Sequence, residues 1–407
     1  MENYLHGLLD EDNDIIIQQY LKYIDQGIPP TDKPKDVLII GAGMAGAACA
    51  MQLVQQGRQV VLFDKGRRAG GRMSSKRTEH GYLDLGAQYF TARNDAFAAQ
   101  CQRWLEAGVI TQWQGRLARA EAGSVTASPD KTLRYIGVPS MQAPVAAMLD
   151  GLTLHTGCQV DSLAFDGKHW QLFSAGVCLG QFNCLVLAIP QQQAEQLLQT
   201  AITLGPELNS LFAVPALLPC WAVNLQLDHS PWPYDGIFAS TGSPLSWLAR
   251  QGSKPGRCQG EHWLLHFSAA FSQQYLEADN SVIADHALQL VQQLAGQPLS
   301  AAVTHCHRWR YAQQNPDYPL HGMVYRPELA LGLAGDWLNG GRVENAWLSG
   351  VQLAQAQAPA RAAPPVKAKC CLAPSWRPCS GRLTAAWWPL SRLIIFPMAP
   401  AAPPLFS

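Results

Sequence analysis

From residue 36 onward, the chain repeats short apolar runs that are separated by glycine turns or alanine-rich stretches. Residues 37–40 are all large and apolar, which is typical of a strand that is buried on both faces of a sheet. A glycine turn and an alanine-rich segment follow, and a second apolar run occupies residues 60–63. This order of strand, turn, helix and strand predicts a βαβ unit in a parallel sheet.

Further along the chain, the same pattern predicts two separate groups of strands with helices between them. The predicted strands are residues 152–155, 170–173, 185–189, 221–227, 245–248, 263–267 and 331–334. The predicted helices are residues 97–106, 193–200, 282–294 and one that begins near residue 343. An additional short helix around residues 16–24, ended by Gly27 and two prolines, predicts an N-terminal helical arm over residues 1–34.

The composition excludes several classes of protein. Charged residues are only 15% of the 407 residues and the formal net charge is zero, so no nucleic acid or membrane partner is expected. The N-terminus lacks the basic and apolar regions of a signal peptide, and we therefore expect a cytoplasmic protein despite its 11 cysteines. His305, Cys306 and His307 alternate at strand spacing, but no further ligand pattern follows them and no metal site is predicted.

The last segment, residues 359–407, has a composition unlike the rest of the chain. It contains 10 of the 28 prolines and no acidic residue. Such a segment does not fit a packed domain, and the sequence predicts a disordered or aberrant tail, with a membrane-binding or partner-binding tail as the alternative.

The glycine turn after the first strand has the spacing of a phosphate cradle. Gly41 permits the tight turn, Gly43 lets a pyrophosphate approach the backbone, and Gly46 lets the following helix pack closely on the strand. The N-terminus of that helix favours negative charge. Asp64 ends the second strand, where an acidic side chain accepts hydrogen bonds from a ribose diol. These residues predict dinucleotide binding.

A second glycine pair identifies the dinucleotide. Gly70 and Gly71 stand between Arg68 and Arg72, so they offer another close backbone approach with guanidinium groups that can reach a pyrophosphate. An NAD enzyme does not need this second clamp, whereas FAD bound in extended form uses it. The sequence therefore predicts FAD.

The C-terminal third carries a matching half-site. Gly335 and Asp336 follow a short apolar strand, and Asp336 is placed to bind a ribityl hydroxyl. The helix that begins near Val343 directs its N-terminus at the pyrimidine edge of a flavin. Because negative charge builds up on that edge when a flavin is reduced, the helix dipole is expected to raise the reduction potential.

Together these motifs resemble the amine-oxidase superfamily of FAD enzymes, and within it the bacterial renalase-like proteins. Residues 73–77, 83–93, 247–250, 253–257 and 307–309 also follow the renalase-like pattern, while residues 27–31 look more like the lead-in of L-amino-acid oxidases. The resemblance covers about residues 36–357. It implies an α/β fold, with a doubly wound Rossmann-type FAD-binding domain in discontinuous segments and an α+β substrate domain whose mixed sheet covers the flavin.

The resemblance also implies the order of the domain segments. The FAD-binding domain would comprise residues 35–96, 135–200 and 323–358, and the substrate domain residues 97–134 and 201–322. The expected FAD contacts are Gly41, Gly43, Met44, Ala45, Gly46, Asp64, Lys65, Gly71, Arg72, Gln88, Val160, Gly335, Asp336, Arg342, Val343 and Ala346.

The activity implied by the renalase-like pattern is oxidation of 2- or 6-dihydro isomers of NAD(P)H to NAD(P)+. A hydride would pass to flavin N5, and O2 would be reduced to H2O2. The ring nitrogen of a dihydropyridine expels the hydride, so no general base is required and the site must mainly hold a flat ring in place. The candidate side chains for this task are Gln88, Tyr89, Trp221, His266 and Trp337.

A flavin amine oxidase or L-amino-acid oxidase is the alternative. In that family a lysine near the start of a roof strand reaches the flavin through water, and residues 219–223 contain no lysine. A flavin-binding scaffold without turnover is a third interpretation. Each of Trp221, His266 and Trp337 also has a plain packing interpretation.

Overall fold

The computed structural model describes residues 34–121 and 123–357. The predicted N-terminal arm and the tail at 359–407 lie outside the described residues. The strands are β1 (Lys35–Ile40), β2 (Val60–Asp64), β3 (Ser75–Thr78), β4 (Gly81–Asp84), β5 (Ile110–Gln112), β6 (Leu117–Glu121), β7 (Ser124–Ala127), β8 (Tyr135–Gly137), β9 (Thr153–Thr156), β10 (Ser162–Phe165), β11 (Trp170–Ser174), β12 (Val177–Leu187), β13 (Leu217–Leu227), β14 (Gly236–Ala239), β15 (Leu245–Arg250), β16 (His262–Phe267), β17 (Ala301–Gln314), β18 (Val324–Arg326) and β19 (Leu331–Leu333).

The helices lie between these strands. They are α1 (Met44–Gln55), α2 (Asp95–Glu106), α3 (Ala143–Leu149), α4 (Gln191–Gln199), α5 (Pro206–Phe212), α6 (Ala269–Gln274), α7 (Asn280–Ala295) and α8 (Val343–Ala356). None of the described helices is both long enough and apolar enough to cross a membrane.

The first sheet has eight strands and a parallel centre. Its order is β10-β11-β12-β1-β2-β9, with β19 beside β12 and β18 beside β19. β19, β12, β1, β2 and β9 are parallel to one another. Alternate residues of β1 face opposite layers: Val37 and Ile39 pack with α1, α3 and α8, whereas Leu38 and Ile40 pack with α4 and α5. Helices therefore cover both faces, as the doubly wound prediction requires.

The second sheet, which we call the roof, has seven strands in the order β17-β13-β16-β15-β14-β6-β7. It is mixed, because β14 and β6 are parallel and the other pairs are antiparallel. α7 packs on its outer face through Ile283, Ala287 and Val291. Its inner face packs on the β3–β4 hairpin, where Leu83 and Leu85 contact Ala222 and Leu264. The predicted α/β fold with a mixed-sheet second domain is confirmed.

One helix crosses a boundary of the predicted domain segments. Helix α2 begins at Asp95, just before the predicted boundary between residues 35–96 and residues 97–134. Its Phe97 packs on Trp347 of α8 with ring centroids 5.5 Å apart, and Trp104 belongs to the same core. The assignment of residues 97–134 to the substrate domain stays a prediction.

Candidate functional site

The three glycines after β1 have different surroundings. A Cβ on Gly41 would lie 2.4 Å from the carbonyl oxygen of Ala188, and one on Gly46 would lie 1.9 Å from that of Gly41. Gly43 is different, because the nearest atom to its Cβ position is the Cα of Gly71 at 3.9 Å. Gly41 and Gly46 therefore serve close packing, whereas Gly43 faces an open space that Gly71 borders on the other side.

Asp64 stands at the mouth of this space. Its Oδ2 accepts the N–H of Ala42 at 2.6 Å, and its Oδ1 accepts the N–H of Gly66 at 2.7 Å. Each carboxylate oxygen has further lone pairs, so the held carboxylate can still accept a ribose hydroxyl. Two other expected FAD contacts lie near Asp64 in the chain or in space. Lys65 is exposed. Val160 lies two residues after Cys158, whose N–H donates to the carbonyl oxygen of Asp64 at 3.1 Å.

Arg72 and Asp336 bind each other. The guanidinium reaches the two carboxylate oxygens over 3.0 and 2.5 Å, and Nη1 also donates to the carbonyl oxygen of Ala312 on β17 at 3.2 Å. We predicted that Arg72 would reach a pyrophosphate and Asp336 a ribityl hydroxyl. The structure joins them in a bidentate pair that connects the front and back segments of the chain, and their contacts with FAD stay a prediction.

The C-terminal half-site is built where α8 begins. Gly340, Gly341 and Arg342 all have positive φ, and this tight turn brings the chain to the helix start at Val343. Glu344 is buried and accepts the N–H groups of Arg93 and Asn94 at 2.7 and 2.6 Å.

Helices α1 and α8 meet in direct contact. A Cβ on Gly350 would lie 2.1 Å from the carbonyl oxygen of Ala45. Met44, Ala45 and Ala346 are buried in the core between the helices, and Gly335 donates its N–H to Ser349 at 3.0 Å. The two half-sites are thus held side by side by glycine-mediated packing.

Gln314, which the sequence did not single out, lies beside this turn. Its Cβ is 3.1 Å from the Cβ position of Gly341, and its Nε2 donates to the carbonyl oxygen of Trp337 at 3.3 Å. Its Oε1 is buried without a hydrogen-bond partner. A buried unpaired acceptor is costly unless a donor completes it. The open space at Gly43 and this unpaired acceptor both fit an extended FAD.

The loop at residues 84–88 lies under the roof. Two roof residues bind the carbonyl oxygen of Leu85: His266 Nε2 and Trp309 Nε1, each at 3.0 Å. Burial lowers the pKa of His266 to about 4. His266 is therefore neutral near pH 7, and a carbonyl partner requires that Nε2 carry the proton and donate it.

Gln88 does not offer a free amide to the site. Its Nε2 donates to the carbonyl oxygens of Asp84 and Gly86 at 2.9 and 3.0 Å, and its Oε1 accepts from Lys254 at 2.9 Å. We expected Gln88 to line the substrate space. Its polar atoms bind its own loop and a buried lysine, Lys254, for which the sequence alone indicates no role.

Next to Gln88, Tyr89 belongs to a cluster that we call the aromatic wall, made of Tyr89, Trp113, Phe238 and Trp247. The Tyr89 ring stacks on Trp113 with centroids 6.0 Å apart and meets Trp247 edge-on at 5.7 Å. Phe238 lies 4.4 Å from Trp247, and the Arg134 guanidinium lies 4.9 Å from the centre of the Tyr89 ring. Phe238 and Trp247 belong to roof strands β14 and β15, whereas Tyr89 and Trp113 lie in the segments after β4 and β5. Aromatic faces of this kind can pack on a flat ligand.

Two predicted site residues lie elsewhere. Trp221 packs into the core on the outer face of the roof, and its Nε1 donates to the carbonyl oxygen of Tyr275 at 2.9 Å. The register pairs Ala222, not Trp221, with His266, so Trp221 and His266 face opposite sides. Trp337 is 1% exposed and its Nε1 donates to the carbonyl oxygen of Ile189 at 3.1 Å. Both tryptophans are packing residues.

His305 and His307 lie on one face of β17, as predicted, with ring centroids 6.4 Å apart. His305 Nδ1 is 3.0 Å from the Lys76 ammonium group. Within the described residues, no three His, Cys, Asp or Glu side chains come together in a way that could hold a metal ion.

The fold and the cradle define a flavoprotein oxidoreductase, and sequence comparison agrees. Residues 39–104 match the model of an NAD(P)-binding Rossmann-like domain, and residues 114–356 match that of flavin containing amine oxidoreductases. The second match covers more than half of the chain. The chain therefore belongs to the flavin containing amine oxidoreductase family, and its cofactor is FAD.

Individual relatives match only a short part of the chain. An L-amino-acid oxidase of Sistrurus catenatus edwardsii is 38% identical over 69 residues, which are 17% of this chain and 13% of the relative. One of Pseudechis australis is 35% identical over 79 residues, 19% of this chain and 15% of the relative. The chain thus spans about one seventh of the length of these curated relatives, and their substrates do not transfer to it.

Solved structures match the fold over most of the chain. A putative protoporphyrinogen oxidase from Exiguobacterium sp. 255-15 superimposes with a TM-score of 0.61 at 12% identity, covering 81% of this chain and 99% of that one. Cyclohexylamine oxidase from Brevibacterium oxydans IH-35A also gives 0.61, at 14% identity over 80% and 98% of the two chains. At such low identity these similarities show the fold alone.

Proposed function

We propose that this protein is an oxidase of the renalase type, which oxidises 2- or 6-dihydro isomers of NAD(P)H to NAD(P)+ and produces H2O2. FAD, when bound, supplies the two-electron acceptor and passes the electrons to O2. In balance, the dihydronicotinamide loses a hydride, and the hydride, one proton and O2 become H2O2. The ring nitrogen's lone pair restores aromaticity as the hydride leaves, so the donor needs no protein base.

The observation that carries this proposal is the chemistry of the inner face of the roof. His266 is neutral and donates its proton to Leu85, so it is not available as a base at that nitrogen. Three buried cations of this region have partners: Lys254 binds Gln88, Arg257 binds Asp84, and Arg134 binds Asp130. An aromatic wall with committed charges favours a flat, neutral ring over a zwitterionic amino acid.

In this proposal the protein's own residues bind and exclude water. Tyr89 and Trp247 provide the flat surfaces against which a nicotinamide ring packs. Leu85, fixed by His266 and Trp309, holds the loop that borders the ring, and the β3–β4 hairpin beneath the roof keeps water from that side. Gly43, Gly71, Asp64 and Gln314 would hold the cofactor.

Amine or L-amino-acid oxidation is the second candidate. The family match and the short matches to L-amino-acid oxidases favour it. An amine donor must present an uncharged nitrogen. If an amine is the substrate, activity should therefore fall at low pH, as the nitrogen of the donor becomes protonated.

The test is anaerobic reduction of the purified yellow protein. We expect borohydride-generated NADH isomers to bleach the flavin absorbance rapidly, with H2O2 formed when air is admitted. Primary amines and L-amino acids serve as parallel donors. Bleaching by an amine or amino acid, with none by the NADH isomers, would reverse the assignment. Reduction by dithionite alone would leave only a flavin-binding scaffold.

A further inference from the structure

Lys254 is a buried charge that the proposed reaction does not use. It follows a short 3-10 helix (Gln251–Ser253) after β15, and its side chain has no exposed surface. Removing an ammonium group from water costs several kcal/mol unless the protein replaces the lost hydration. The contacts of Lys254 therefore indicate what it is for.

Neutralising Asp84 does not explain Lys254. The Asp84 carboxylate accepts hydrogen bonds from Arg257 Nε at 2.9 Å and from the Ser75 hydroxyl at 2.6 Å, and Arg257 Nη2 forms an ion pair with it at 2.9 Å. Lys254 Nζ lies farther away, at 3.6 Å from the same carboxylate. One carboxylate thus faces two cations, and Arg257 already satisfies it with closer contacts.

The shortest contacts of Lys254 lead to the surroundings of Tyr89. Its Nζ donates to Gln88 Oε1 at 2.9 Å and lies 5.4 Å from the ring centre of Trp113. Gln88 precedes Tyr89 in the chain, and Trp113 stacks on it. The neighbouring Ser253 hydroxyl accepts the Trp113 Nε1–H at 3.1 Å. Residues 253 and 254 therefore contact both the residue that precedes Tyr89 and the ring that stacks on it.

We infer that Lys254 is a positioning residue of the substrate site, which orients Tyr89 through Gln88 and Trp113 so that the aromatic wall fits a planar donor. Lys254 does not contact the donor. The inference rests on the proposed function only in taking the aromatic wall as the donor site. It makes the charge on Lys254 a determinant of donor binding.

The charge on Lys254 is sensitive to pH. Burial lowers the pKa of Lys254 to about 8. The positive charge of Arg257 also lowers this pKa, whereas the negative charge of Asp84 raises it. Of the other groups that face it, His266 on β16 stays neutral, since its pKa is about 4, and Arg257 contributes a second positive charge. Above pH 8 the neutral amine loses the cation–π contact with Trp113 and binds Gln88 more weakly.

The experiment compares full-length, FAD-loaded wild type with Lys254→Met, using whichever donor reduces the flavin best in the test above. We expect Lys254→Met to bind FAD normally but to lose about tenfold in kcat/KM, mainly through KM, because the wall is displaced while the reacting atoms are unchanged. In wild type, KM should rise above about pH 8, and this rise should be absent from the variant.

The matched control is Leu172→Ala, which removes a buried side chain from β11 in the core that contains α4 and α5. It should lower Tm while leaving KM and its pH profile unchanged. A Lys254→Met enzyme with wild-type KM, or one whose KM still rises above pH 8, would overturn the inference. So would a variant whose only change is a lower Tm.

Two further measurements keep the inference testable if Lys254→Met does not fold. Ser253→Ala removes the hydrogen bond to Trp113 and should raise KM by a smaller factor without moving the alkaline change. The wild-type profile stands alone as well: a KM that is flat between pH 7 and 9.5 contradicts the inference. If an amine proves to be the donor, the proposed function fails, but the same comparison with that amine still tests Lys254.

Discussion

The dinucleotide-binding sheet and the roof are built by different means. Around the cradle, glycines bring backbone against backbone, as Gly46 does against Gly41 and Gly350 against Ala45. Under the roof, side chains make the contacts, as His266 and Trp309 do with Leu85. Backbone contacts leave little freedom for other residues, whereas side-chain contacts can be rearranged. In our proposal, the first region holds the cofactor and the second region determines which donor is accepted.

The largest expected effect separates two glycines of the cradle. Gly46→Val forces a Cβ to within 1.9 Å of a backbone oxygen, so the free energy of unfolding should fall by about 3 kcal/mol or more. Gly43→Val fills only the open space facing Gly71, so the chain should fold and remain colourless. Circular dichroism and flavin absorbance measure both outcomes. Retention of FAD by a folded Gly43→Val protein would contradict the assignment of Gly43 to the cofactor site.

A smaller effect separates two tryptophans on opposite faces of the roof. Trp247→Phe alters the aromatic wall and should raise the KM for the donor several-fold. Trp221→Phe loses its bond to Tyr275 on the outer face and should cost about 1 kcal/mol of stability, with kcat and KM unchanged. Steady-state kinetics and urea denaturation test the pair. A changed KM in Trp221→Phe together with a normal KM in Trp247→Phe would invert the assignment of the two faces.

The smallest effect concerns His266. Burial lowers its pKa to about 4 from an ordinary value near 6.5. Between these values the unfolded chain binds a proton that the folded chain does not, so folding stability falls as the pH drops from 6.5 to 4.

His266→Gln can still donate to Leu85 but does not titrate. As the pH falls from 6.5 to 4, wild type should therefore lose up to about 1 kcal/mol of folding stability per pH unit relative to His266→Gln. Urea denaturation at several pH values measures it. A difference that is independent of pH would show that His266 titrates alike in the folded and unfolded chains.

What the sequence could predict follows the same division between the two regions. The cradle is local: the turn from β1 to α1 and the position of Asp64 at the end of β2 depend on residues close together in the chain, and the structure places them as expected. The pairing of Arg72 with Asp336 joins residues 264 positions apart. Spacing along the chain carries no information about such a partner.

The errors under the roof have a specific physical reason. β13 is buried on both faces, so its sequence does not indicate which of Trp221 and Ala222 points inward. The pairing of Ala222 with His266 decides it, and register is a property of the folded sheet. The contact of Lys254 with Gln88 could not be predicted, because Lys254 lies in a turn after β15 and reaches the loop at residues 84–88 only through tertiary folding.

The amount of flavin bound to the purified full-length protein tests the central claim most directly. That claim is that segments far apart in the chain together bind one FAD. Absorbance near 450 nm, after denaturation and quantitation against protein, should give about one FAD per chain. Wild-type protein that is folded but colourless, and that takes up no added FAD, would contradict the account.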